Sequence, residues 1–267
     1  MNARLLFQTW RWQRTRLLLV GIASLAWGAL FPFFYAQFSD ALRQLASSGA
    51  IPEQLLNFGS GSLFTLPGTI SLGFQHPLSL ALIGIFAVGA ASTAVAGERQ
   101  RGTLELLLSR PLSRRSLYVS VALALLLVVA LIVALILAGM VVSAAAQNIL
   151  DQLHLGRMPL VLLSGILLWG AFASFSLAAS VSFDRAGPAM GVSLAYLLVN
   201  YFLEVLGSLW TDAAWTQQYS LFHHFLPTEI LAGSADVTDL LILAVAMVLP
   251  IVYALVVFPR RDLAAPA

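Results

Sequence analysis

A chain of 267 residues that is 60% hydrophobic and 10% charged, with a formal net charge of +2, lies far from soluble domains, which average about 45–50% and about 25%. So few charges give no argument for nucleic acid as a partner, and the absence of cysteine excludes disulfides, thiol nucleophiles and cysteine-held metals. Every basic residue is an arginine, which excludes both a lysine Schiff base and the phosphate loop G-x-x-x-x-G-K-[ST] on this chain.

The opening stretch MNARLLFQTWRWQRTR is too polar for the apolar core of a signal peptide, so the first apolar run is expected to stay in the mature protein. Leu6, Phe7 and Trp10 set a partial apolar stripe among arginines, which predicts an interfacial helix over 1–16 before the chain turns into the bilayer. A span needs about 20 mostly apolar residues to cross about 30 Å of hydrocarbon. Six runs qualify: Leu17–Gln37, Leu78–Ala96, Leu117–Ala146, Pro159–Ser182, Ala189–Leu209 and Asp239–Phe258.

Between the first two runs, FGSGSLFTLPG reads as an external loop with some short helix, apolar enough to pack against the bundle. The third run amounts to roughly 45 Å of helix and must tilt or project from the bilayer. Pro32 and Pro250 are kink sites within the first and last spans. An external segment, 210–238, precedes the last span. The fold expected is an all-α polytopic membrane protein with six transmembrane helices, a single permease-sized domain over 1–267.

Orientation follows from the arginines. With both termini inside, every arginine except Arg43 and Arg157 faces the cytoplasm, and His76, His154, His223 and His224 fall outside. This places 97–112 on the cytoplasmic side. There GERQRGTLELLLSRPLSRRS combines charge with Leu104, Leu107 and Leu108 at helical spacing, and Arg101 and Glu105 form an i,i+4 pair on the other face. Pro111 disfavours helix at Arg110, and Ser113 is placed to cap the third span. A plain loop between spans needs no apolar face, so this short amphipathic helix predicts a docking partner.

The run AGERQRGTLELLLSRPLSR resembles the cytoplasmic loop of ABC-2-type exporter permeases, whose pattern is close to GE…GTLE.LL..P.SR. YSLFHHFLPTEILAG (Tyr219–Gly233) resembles their external segment before the last span, and FPRRDL (Phe258–Leu263) their arginine-bearing exit. Relatives often carry lysine where Ser120 stands here. The resemblance implies a non-enzymatic subunit of the cytoplasmic membrane that exports a substrate and works as a homo- or heterodimer with a second permease copy. Each copy would engage a separate ABC ATPase, which binds ATP and Mg, so this chain would hold no cofactor. It also implies a coupling helix, occupied here by Glu98, Arg101, Gly102, Thr103, Leu104, Glu105, Leu107 and Leu108.

Other residues bear on chemistry. Glu204 is the acidic residue inside an apolar run, where ionised groups cost about 2.5–3.5 kcal/mol at the bilayer centre. It lies near the outer end of the fifth span, which suits either a place on a substrate path or an anchor for the external segment. His223, His224 and Glu229 offer zinc-type donors, but without H-E-x-x-H spacing or a third nearby histidine they read as polar residues of an external helix. In FDRAG (Phe183–Gly187), Arg185 belongs to a short internal turn. A membrane-embedded protease would need a nucleophile–base or metal set, and a secondary transporter would carry intramembrane charges near the midplane. Neither pattern is present.

Overall fold

The computed structural model describes residues 3–48, 57–58, 61–62, 64–109 and 113–261. A chain this apolar must satisfy its backbone polar groups within each segment, which a helix does. Helix α1 covers Ala3–Ser47. A two-residue pairing, β1 (Asn57–Phe58) with β2 (Gly61–Ser62), leads into α2 (Leu66–Gln75) and α3 (Pro77–Thr93). After the short α4 (Ala96–Gln100) and α5 (Leu104–Leu108) come the long helices α6 (Arg114–Ala146), α7 (Met158–Ser182) and α8 (Ala186–Leu209). Two 3-10 turns, Thr211–Tyr219 and Leu221–His224, and α9 (Pro227–Ala232) precede α10 (Val237–Arg260).

Among the described residues, five helices are long and apolar enough to cross a membrane, or six if α2 and α3 form one bent span. Two expectations change here. Helix α1 runs through Arg16 without a break, so no turn sets the 1–16 segment apart from the first span. The stretch expected as a straight second span, Leu78–Ala96, instead holds α3, which ends at Thr93 and is preceded by α2 at a bend of 53°, a broken span or a re-entrant loop. The cause is at the junction. His76 is extended at ψ 143°, as residues before proline prefer, and Pro77 then opens α3 while the His76 side chain accepts from Leu78 N. Pro32 and Pro250 both lie inside continuous helices.

The first and third spans touch through glycines. A Cβ on Gly28 would stand 1.9 Å from Ile136 O, and one on Gly139 would stand 2.1 Å from Leu25 O. Only glycine allows that backbone approach, a device common where lipid removes the hydrophobic drive between helices. The main core lies between α7 and its neighbours. Trp169, Phe172 and Phe222 pack there with ring centroids 5.4–6.1 Å apart, all fully buried. Large apolar side chains of α1, α8 and α10, such as Ile22, Phe202 and Leu249, stay outside it, as lipid-facing surfaces require.

Candidate functional site: the two ends of the bundle

At one end, α3 gives way to a turn at Ala94 and Val95 before α4. The amides of Val95 and Ala96 find one acceptor, Ser180 Oγ on α7, at 2.9 and 3.0 Å. After α4, Gly102 adopts φ +69°, a left-handed conformation a β-carbon disfavours, and redirects the chain into α5. Glu98 closes this turn. Its carbonyl accepts from Thr103 N at 3.0 Å, and its carboxylate accepts from Thr103 Oγ1 at 2.5 Å and pairs with Arg101.

This geometry corrects the expected faces. Arg101 and Glu105 do not pair along one helix, because Gly102 breaks the helix between them, and Arg101 turns back to Glu98. Leu104 is 2% exposed and clusters with Val95, Leu117, Tyr118, Val181 and Phe258 of its own chain. It roots α5 in the bundle instead of facing outward. Leu106, 69% exposed beside exposed Glu105, faces away from the bundle. The side chains of Leu107 and Leu108, and all of Arg110 and Pro111, lie outside the described residues. The cap at Ser113 is present, its side chain accepting from Ser116 N at 3.1 Å.

The same end gathers stretches that are distant in sequence. Asp184, in the turn between α7 and α8, lies 2.7 Å from Arg99 Nη1 and also pairs with Arg261 at the end of α10. Arg261 Nη1 donates to Val181 O at 2.6 Å, and Gln100 Oε1 accepts from Ala186 N at 3.0 Å. Arg114, opening α6, donates to Arg261 O at 2.6 Å. A lone serine on α7 and a lone aspartate in a short turn carry no periodic signal, so Ser180 and Asp184 could not be recognised from spacing.

At the opposite end, the 3-10 segments fold back onto α8. Ser220 Oγ donates to Asn200 O and Leu221 N donates to Asn200 Oδ1, both at 2.9 Å. Glu204 is buried, and its Oε1 accepts from Gln217 Nε2 at 3.1 Å. The structure thus joins Glu204 to the 3-10 segment and, among the described residues, to no arginine. Arg157 donates to Leu231 O at 2.8 Å, satisfying a carbonyl at the end of α9. His224 Nδ1 stands 2.7 Å from Asp239 Oδ1 at the start of α10. His223 is held below its ordinary value, mainly by burial and then by His224. Among the described residues no group of three or more His, Cys, Asp and Glu could hold a metal, so the paired histidines do not form such a site with Glu229.

Long apolar helices, glycine-mediated crossings and polar staples at the two ends define a multi-pass integral membrane protein. Over residues 14–263 the sequence matches the family described as ABC-2 family transporter protein, and the chain belongs to that family. It is therefore a membrane permease component of an ABC transporter. Neither the curated proteins nor the solved structures yield a match.

Proposed function

We propose that this chain is the transmembrane subunit of an exporter in the cytoplasmic membrane, driven by ATP that a separate ABC ATPase binds with Mg and hydrolyses. The observation that carries this reading is the build of α4 and α5: held to α7 through Ser180, rooted by Leu104, and showing Glu105 and Leu106 to the outside. A segment fixed on one side and bare on the other suits docking into a groove, with Leu106 as the outward apolar anchor. Glu98, Arg101, Gly102 and Thr103 shape the turn that presents it. Burial of Leu104 is why it serves as root and not as anchor.

In this reading six spans run with both termini in the cytoplasm, because that orientation leaves only Arg43 and Arg157 outside. A second permease copy completes the membrane path. Glu204 anchors the external segment to α8, the role its bond to Gln217 supports. The test is co-expression with candidate ABC ATPases. The chain should capture one of them, and the purified chain alone should hydrolyse no ATP. Robust turnover by a preparation free of any ATPase subunit would refute the reading.

A further inference from the structure

We infer that Asp184 is a positioning residue that makes the α7–α8 turn move with the docking segment, passing ATPase engagement on to α8 and α10. This rests on the proposed role of α4 and α5 as the docking segment. Arg99 sits on α4, directly before the docking turn, and its side chain is 10% exposed, so its guanidinium has little freedom to find water instead. Asp184 meets that guanidinium at 2.7 Å and Arg261 at the same time. One carboxylate therefore ties α4, the α7–α8 turn and the end of α10 together. Gln100 adds a parallel tie to the first amide of α8.

Other ties at this end run from Ser180 to the turn before α4, from Arg261 to Val181 and from Arg114 to Arg261. Helix α4 also packs on α8 through Ala96 and Ala189, an apolar contact, while Asp184 and Gln100 are the polar ties through which displacing α4 pulls on the turn into α8. Helix α8 carries Asn200 and Glu204, which hold the external segment at the far end. The Asp184 side chain itself is 62% exposed, and exposed ion pairs contribute little to stability. Asp184→Asn keeps a side-chain oxygen that can accept from the nearly buried Arg99, so folding should survive while the charge that holds Arg99 and Arg261 together is lost.

The chain has no cysteine, so a cysteine at exposed Ser234 can carry a single bimane label on the far side. The labelled chain is reconstituted in liposomes with its captured ATPase, and emission is followed on adding ATP and Mg. The parent complex should respond. Asp184→Asn should capture the same amount of ATPase and give a response at least about fivefold smaller, within the ordinary range of coupling strengths. Asp184→Glu should restore most of it, and Arg185→Gln in the same turn should leave it unchanged.

An undiminished response in Asp184→Asn would overturn the inference. So would loss of ATPase capture in that variant, which would make Asp184 an assembly residue. A parent complex that captures ATPase yet gives no response at position 234 would also overturn it. Failure of the parent to capture any ATPase would instead refute the underlying reading of the docking segment.

Discussion

Glu204 gives one carboxylate oxygen to Gln217, while the other is buried with no hydrogen-bond partner among the described residues. A carboxylate so placed is costly if charged. Glu204→Gln keeps an acceptor for Gln217 and removes that cost, so transport and thermal stability should match or exceed the parent. Glu204→Ala should lose about 1–3 kcal/mol by stranding a buried polar partner. Melting curves in detergent check both, and an assembled but inactive Glu204→Gln would show that the charge itself is used. Leu104 has the opposite character, an apolar side chain buried in its own chain. Leu104→Ala should cost about 2–5 kcal/mol of stability, seen as a lower melting point of the permease alone.

Between elements, the contact of α1 with α6 depends on the glycine pair. Gly139→Leu would drive a side chain into the backbone at Leu25, so membrane yield and thermal midpoint should both fall sharply. The 3-10 segments before α10 should respond to pH through His223. Asp239 and Glu229 oppose the lowering of its pKa, but burial and His224 outweigh them. A base whose folded pKa lies below its unfolded value favours the folded state while neutral. That contribution is complete above about 6.5 and is lost as pH falls through the lowered value. The thermal midpoint should therefore drop on acidification, and His223→Gln should show a smaller drop. His223→Gln leaves the His224–Asp239 contact in place, so the difference between parent and variant isolates the effect.

Five spans were legible because an uninterrupted apolar run of about 20 residues has few other uses. The bent α2–α3 pair was not, because α2 is short and interrupted by Gly68, Thr69, Ser71 and Gln75, residues that lower a hydropathy signal while packing well when buried. Thr65, which caps α2, and His76-Pro77 were its readable marks. The Arg101–Glu105 spacing implied a pair on one face only if the helix continued through Gly102. That glycine was itself the sign of a break. The FDRAG turn was visible in the sequence, but Asp184 joins groups brought together by tertiary packing alone, so nothing there marked its partners Arg99 and Arg261.

For the whole molecule, orientation and docking are linked, since α4 and α5 meet an ATPase only if their end of the bundle is cytoplasmic. Ser48, Ser113 and Ser234 are all exposed, so cysteines placed there report sidedness without a burial artefact. Those at 48 and 234 should react with an impermeant thiol reagent in intact cells, and the one at 113 should not. Labelling at 113 alone would reverse the orientation.

The most direct test of the docking claim is capture of the ABC ATPase by Leu106→Asp. Burying a leucine contributes about 1.5–3 kcal/mol, and about 1.4 kcal/mol is tenfold in affinity. A charge at that position adds desolvation cost against an apolar groove. The account predicts at least about tenfold weaker capture with membrane yield and melting point unchanged, because Leu106 is exposed in the permease alone. Full capture and undiminished ATPase stimulation by Leu106→Asp would contradict it.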